Sequence, residues 1–298
     1  MDNLEKETKQ IMRENGIYAD KKLGQNFLIS VEVVTSIVEK AKINETTGVI
    51  EIGPGLGTLT KYLLEKAGKV VAIELDKRML SILTKRFGSF NNFSLINDDV
   101  LKVNLKELIA NMKNEGMKSV KVVANLPYYI TTPIIMKLLE ERLDIESITV
   151  MVQKEVAQRL TANPGEEYTG AITHTICYYT NPSTIIEVPK DCFLPAPEVD
   201  SSVIQLEILS NPKVVVKNEE QFFKLIKTAF LQKRKTLVNS LENGKIASKK
   251  EIEEALQELG LDTRIRAEKL SLENFAYLLE KFTKKSQTND WRNANKIL

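Results

Sequence analysis

Val49-Ile50-Glu51-Ile52-Gly53-Pro54-Gly55-Leu56-Gly57 is an apolar strand pattern that runs into a glycine turn, and the amphipathic stretch Leu59–Ala67 follows it. Glycines at a strand-to-helix junction let the backbone bend sharply and let a ligand lie close over the chain. The spacing is G-x-G-x-G, without the extra residue of the dinucleotide-binding G-x-G-x-x-G. Working outward, further apolar runs stand at Lys69–Leu75, Ser94–Asp98, Val120–Asn125 and Ser147–Val152, with helical patterns such as Lys77–Phe87 between them. Strand and helix alternating at this spacing predict an α/β fold, a mainly parallel sheet with helices on both faces. Runs with little alternation, such as VVAI, belong to strands buried on both sides.

After about residue 170 the rhythm changes. Strand-like stretches at Thr173–Tyr179 and Ser201–Leu209 flank VPKDCFLPAPEVDSS (188–202), a proline-rich segment expected to be largely loop. A break falls at Leu209-Ser210-Asn211-Pro212. Beyond it the pattern is helical: Glu219–Leu241, Ser248–Leu259 ending at Gly260, and Leu272–Phe282 behind an N-cap at Ser271. Residues 286–298 read as a polar tail. The expected organisation is an α/β domain over 1–210 and a small helical domain over 211–298.

Composition narrows the function. The 298 residues are 43% hydrophobic and 28% charged, normal for a globular protein with a real core. No run approaches the roughly 18 apolar residues of a membrane span, and the charged start MDNLEKETKQ has no secretory signal. The two cysteines, Cys177 and Cys192, cannot make a disulfide framework, so a cytoplasmic location is expected. One histidine, His174, expected as a structural residue on a strand, leaves no His/Cys zinc site and argues against a histidine-based triad. The net charge of +2 is uneven: Asn211–Leu298 carries 18 Lys and Arg against 12 Asp and Glu, and the remainder is net acidic. A basic C-terminal third suggests a polyanionic partner, although such an excess is often only a solvated face.

Three strand ends carry candidate chemistry. Glu74 closes the second strand about 20 residues after the glycines, where a carboxylate can accept hydrogen bonds from both hydroxyls of a ribose. Turn, spacing and acid together favour a nucleoside-containing cofactor. Asp99, past the third strand, can meet an adenine edge or be an ordinary loop aspartate. The fourth strand ends in Asn125-Leu126-Pro127-Tyr128. The exocyclic N6 of adenine is a poor nucleophile because its lone pair is delocalised into the ring. The Asn125 side-chain oxygen and the carbonyl before Pro127 can both accept from its hydrogens, which favours a more pyramidal, more reactive nitrogen. Pro127 stiffens the turn and Tyr128 can stack on the base.

With these motifs in place, the chain resembles the ribosomal RNA adenine dimethyltransferase family, and within it the branch that acts on small-subunit (16S) rRNA. The resemblance spans about Lys21 to Phe282. It includes Lys21–Leu28 (KKLGQNFL), Gly53–Gly57, Glu74, Asp99, Asn125–Tyr128, Met151–Leu160, Phe193–Ser202 and Thr263–Ser271. Some members have His where this chain has Asn26. The resemblance implies a Rossmann-like domain that binds S-adenosyl-L-methionine, with residues 1–30 as an N-terminal lid, and a helical rRNA-binding domain. It implies cofactor contacts from Gln25, Asn26, Leu28, Gly53, Gly55, Glu74, Asp99 and Asn125. Phe193 becomes a second aromatic wall opposite Tyr128 around an extruded base, although a core plug is a fair alternative. The implied reaction is N6,N6-dimethylation of two adjacent adenosines in the 3′-terminal hairpin loop, on rRNA or an immature 30S subunit, with a monomer as the default state.

Phe222, Ile226, Phe230, Leu237 and Leu241 share one helical face, and Lys233, Arg234 and Lys235 fall largely off it. The sequence leaves phosphate contact and a merely solvated cluster about equal; the resemblance tips them toward rRNA. Three other functions compete. A large-subunit rRNA methyltransferase of the macrolide-resistance type shares the Asn125–Tyr128 turn, but Gly53–Gly57, Gln232–Leu237 and Arg266–Leu270 match it less well. A nicotinamide dehydrogenase does not explain that turn. A ribosome assembly factor with dispensable catalysis has no need of an intact methyl-donor pocket.

Overall fold

The computed structural model describes residues 3–19, 25–127, 130–232 and 234–294, with side chains from Leu4 to Thr283. The chain folds as two units, Met1–Ala157 with Pro182–Ile208, and Gln158–Asn181 with Leu209–Leu298. A single cut at 210 is therefore not how the contacts divide: residues 158–181 group with the helices.

The first unit begins with α1 (Asn3–Glu14), β1 (Phe27–Leu28) and α2 (Val31–Lys40). Then β2 (Thr47–Ile52), α3 (Thr58–Leu64), β3 (Lys69–Glu74), α4 (Lys77–Phe87), β4 (Phe93–Asn97), α5 (Leu105–Asn114), β5 (Ser119–Asn125), α6 (Thr131–Glu140) and β6 (Ser147–Gln153) alternate as the sequence predicts. Local chemistry starts the helices: Ser30, Asp76 and Asn104 each accept a backbone N–H of the first turn of α2, α4 and α5.

After α7 (Lys154–Thr161) comes α8 (Ala171–Tyr179), where a strand was expected at Thr173–Tyr179. Its β-branched and aromatic residues suit a strand. However, all seven are buried, and an isolated helix can bury every face while satisfying its own backbone. The threonine hydroxyls turn inward to the same end, Thr175 donating to Ala171 O and Thr180 to Ile176 O. The strand is the next segment, β7 (Thr180–Val188). The proline-rich stretch holds a strand as well, β8 (Phe193–Leu194), before β9 (Ser201–Ile208).

The large sheet runs β4-β3-β2-β5-β6-β9-β7. From β4 to β6 every pairing is parallel, and β9 is antiparallel to β6. All of β2 is buried, Glu51 included, as suits a central strand covered on both faces. β7 lies at the edge, the place in a sheet where a proline such as Pro182 is tolerated. Chain order reverses between β2 and β5, the point at which open α/β sheets bind ligands beyond their strand ends. The register aligns those ends, since Ile52 sits opposite both Ile73 and Ala124. Gly53, Glu74 and Asn125 therefore leave the sheet at one level. β1 and β8 form a separate antiparallel pair, with Leu28 opposite Phe193.

The second unit adds α9 (Glu219–Phe230), α10 (Leu237–Asn243), α11 (Lys249–Glu258) and α12 (Leu272–Ala294). The continuous helix expected over Glu219–Leu241 is broken: α9 stops at Phe230, and Thr236 caps α10 by accepting from Asn239 N. Ser271 caps α12 by accepting from Asn274 N, and Gly260 takes a left-handed φ of 68° after α11. The expected polar tail is helical to Ala294, because no Gly or Pro follows Phe282 to stop it. His174 lies on α8, not on a strand, fully buried between the rings of Phe230 and Phe275. Its Nδ1 and Nε2 lie 3.0 Å from Gly170 O and Leu270 O, and burial holds its pKa below the usual value. These contacts, with Tyr178 against Phe222 and Phe223, are what tie 158–181 to the helical unit. Among the described residues, no helix is long and apolar enough to cross a membrane.

Candidate cofactor and substrate site

A cavity opens at the ends of β2, β3 and β5 and encloses ≈ 1130 Å³, its open mouth included. All eight residues expected to bind the cofactor line it: Gln25, Asn26, Leu28, Gly53, Gly55, Glu74, Asp99 and Asn125. Leu126 and Pro127 line it too. Phe193 does not; its ring is 3% exposed and belongs to the buried cluster beneath β1. Tyr128 and Lys233 lie outside the described residues, as do Lys21–Gly24 of the N-terminal motif.

The glycine turn needs glycine for two different reasons. Gly53 has φ +68°, and a Cβ there would meet nothing within 4 Å, so its face is left clear for a ligand. Gly57 has φ +79°, and a Cβ would come within 2.3 Å of Cε2 of Phe87. The first glycine clears the cavity and the third lets α4 pack against the turn.

Glu74 is buried, and two backbone groups hold its carboxylate. Gly55 N donates to Oε2 at 3.0 Å and Asp76 N donates to Oε1 at 2.8 Å. Burial raises its pKa against the lowering effect of those two N–H groups. Gln25 donates to Oδ2 of Asp76 at 2.9 Å, which ties the segment before β1 to the end of β3. Arg78, bonded to Asp76, is the main cause of that carboxyl's lowered pKa. Asp99 is half-buried, and its Oδ1 accepts from Leu101 N at 3.0 Å.

Glu51 was not among the expected site residues, yet it lines the cavity. It is 1% exposed, and its Oε2 has no hydrogen-bond partner among the described residues. Burial pushes its pKa up to about 8; the nearby charge of Glu74 adds to the rise and Thr60 opposes it. The sequence did carry a signal, a carboxylate between Ile50 and Ile52 in a strand buried on both faces. Such a group is rare without a purpose.

Asn125 ends β5, and its side-chain amide donates to the backbone carbonyl of Asn26 at 3.3 Å. With the nitrogen so engaged, Oδ1 is the end left for a ligand. The following turn is closed through Pro127 O, which accepts from Ile130 N and from the Thr131 hydroxyl. Arg234 and Lys235 are exposed in the loop between α9 and α10, not on a helix face.

The comparisons with known proteins agree over most of the chain. A family model described as ribosomal RNA adenine dimethylase matches residues 17–284. Ribosomal RNA small subunit methyltransferase A of Alkaliphilus oremlandii is 44% identical over 281 residues, 94% of this chain and 97% of that relative. The protein of the same name from Geobacillus thermodenitrificans is 48% identical over 275 residues, 91% of this chain and 93% of its own. Among solved structures, a dimethyladenosine transferase from Plasmodium falciparum superposes with a TM-score of 0.72 at 28% identity, over 87% of this chain and 98% of that one. The 23S rRNA methyltransferase ErmE superposes with a TM-score of 0.66 at 24% identity, over 87% of this chain and all of that one, a likeness of fold alone. With the glycine turn, the carboxylate at the end of β3 and the asparagine at the end of β5 gathered around one cavity, the chain belongs to the ribosomal RNA adenine dimethylase family.

Proposed function

We propose that this enzyme, an S-adenosylmethionine-dependent rRNA adenine dimethyltransferase, acts on small-subunit rRNA and dimethylates N6 of two adjacent adenosines in its 3′-terminal hairpin loop. The relatives' printed names support the choice of subunit. One observation carries the chemistry: Asn125 reaches the cavity beside the glycine turn with its amide nitrogen already bonded to Asn26 O. We also propose that the substrate particle is an immature 30S subunit and that the enzyme works as a monomer.

The cavity fits the methyl donor on its own features. The face of Gly53 is clear, Glu74 offers a buried carboxylate where ribose hydroxyls can donate, and Glu51 presents an unpartnered oxygen. Gln25, Asn26, Leu28, Gly55 and Asp99 complete the proposed cofactor contacts. Bound S-adenosylmethionine supplies an electrophilic methyl group on a sulfonium. The Oδ1 of Asn125 accepts from N6–H of the adenine and draws its lone pair out of conjugation. Leu126 and Pro127 shape the floor, and Tyr128 is proposed to stack on the base; Phe193, buried in the core cluster and absent from the cavity wall, fits the alternative of a core plug. The nitrogen becomes acidic once methylated, so its proton leaves without a strong base.

The test is incubation with labelled S-adenosylmethionine and unmodified small or large subunits, followed by nucleoside analysis. Dimethyladenosine in the small subunit alone is expected. Label in the large subunit would assign the chain to the macrolide-resistance reaction, and cofactor binding without label would leave an assembly factor.

A further inference from the structure

The glycine turn is held from behind by a chain of contacts that begins in the N-terminal helix. Arg86, in the last turn of α4, donates from Nη1 to the backbone carbonyl of Leu56. Its Nη2 donates to Oε1 of Glu7 on α1 at 2.6 Å, and its guanidinium lies 4.9 Å from the centroid of the Phe87 ring. The other oxygen of Glu7, Oε2, accepts from Lys61 Nζ at 3.2 Å, and Lys61 belongs to α3, the helix that starts at the turn. One carboxylate thus joins the arginine that holds Leu56 O to the helix that follows the turn.

Leu56 itself lines the cavity, so its peptide is part of the wall a ligand meets. That peptide leads into Gly57 at φ +79°, a left-handed position, and its N–H closes the turn by donating to Pro54 O at 2.9 Å. Arg86 holds the other end of the same peptide through Leu56 O, while the next residue, Phe87, fills the space over Gly57. The Arg86 side chain is 17% exposed, and burial lowers its pKa against the raising effect of Glu7. A buried cation needs a partner to stay where it is. Glu7 is that partner, and α1 is seated by Leu4 and Thr8, both buried.

We infer that Glu7 and Arg86 are positioning residues for the methyl donor: α1, through this pair, fixes the Leu56 carbonyl and so the shape of the glycine turn. The inference rests on the reading of the cavity as the S-adenosylmethionine site. Arg86→Lys keeps the charge but not the planar fork that reaches Leu56 O and Glu7 together. Glu7→Gln keeps the size but not the charge.

The experiment is calorimetric titration of S-adenosylhomocysteine into the wild type, Glu7→Gln, Arg86→Lys, the double variant and Glu74→Ala, with methylation kinetics on each. Each single latch variant is expected to weaken binding about tenfold, the change that one lost charge-assisted contact of about 1.4 kcal/mol produces. The double variant is expected to bind no worse than Arg86→Lys, because the two residues act as one unit. The loss is expected in KM for S-adenosylmethionine and not in KM for rRNA. Additive losses, or unchanged affinity with only a lower melting temperature, would overturn the inference. Should Arg86→Lys not fold, Glu7→Gln alone decides, since Glu7 is one-third exposed and the change is isosteric. Unchanged affinity in Glu74→Ala would instead strike the ribose reading, and the two failures cannot be confused.

Discussion

The side-chain amide of Asn125 donates to the backbone carbonyl of Asn26 at 3.3 Å, across 99 residues of sequence. An asparagine can present either end to a ligand, and this contact chooses. The carbonyl of Asn26 can only accept, so the nitrogen of Asn125 faces it and the oxygen turns to the cavity. The segment just before β1 therefore sets the direction of the group that meets adenine.

Asn125→Asp tests that relationship. The carboxylate has no hydrogen to donate to Asn26 O, and one of its oxygens would face that carbonyl. The rate of methyl transfer is expected to fall at least about 10²-fold, the scale of losing one preorganised transition-state contact. Single-turnover kinetics measure it, with S-adenosylhomocysteine affinity as the control. Full-rate transfer in the variant would remove Asn125 from the chemistry.

The two outer glycines of the turn should fail differently. Gly57→Ala places a Cβ 2.3 Å from Phe87 at a left-handed φ, so strain and overpacking add. A loss of about 2–4 kcal/mol is expected in urea unfolding. Gly53→Ala has a left-handed φ as well, but open space around the new Cβ. It should lose only about 1–2 kcal/mol of stability, and its larger effect should be weaker S-adenosylhomocysteine binding. Equal stability losses in the two would contradict this division of roles.

How much of this was legible depends on how local the cause is. β2, β3 and β5 could be read because strands buried on both faces are predominantly apolar with little alternation, and the positions of Glu74 and Asn125 at their ends followed. α8 could not, because Thr173, Thr175 and Ile176 carry strand preferences that burial on every side overrides. The pairing of Leu28 with Phe193 joins segments 165 residues apart, and nothing local encodes it. That pairing also explains why the Phe193 ring sits in the core cluster. The break after Phe230 was missed because neither Gly nor Pro marks it; the signal was Thr236 three residues before Asn239, a cap whose strength shows only once the chain is folded.

Glu51 gives the molecule a pH dependence of a particular sign. Its pKa is raised to about 8 in the fold from 4.5, so the folded state binds the extra proton between those values. Stability from this group is fully present below about pH 4.5 and is lost as pH rises through about 8. Glu51→Gln removes the effect. Relative to the variant, the wild type is expected to lose a few kcal/mol between pH 5 and pH 9. Melting temperatures of both proteins across that range measure it, and parallel curves would show that Glu51 ionises like an exposed carboxylate.

The basic loop decides whether the helical unit touches RNA. Arg234 and Lys235 are exposed between α9 and α10, with Leu231 beside them 75% exposed, and among the described residues no carboxylate pairs with either cation. If each meets one phosphate, Arg234→Gln with Lys235→Gln should weaken rRNA binding at low salt. It should also reduce the slope of log affinity against log salt by about 1.4, two contacts at about 0.7 each for a single strand. Affinity for S-adenosylhomocysteine should not change, because neither residue lines the cavity. A salt slope equal to that of the wild type would mean that the two cations merely solvate the loop, and the RNA contacts would then have to lie elsewhere on the chain.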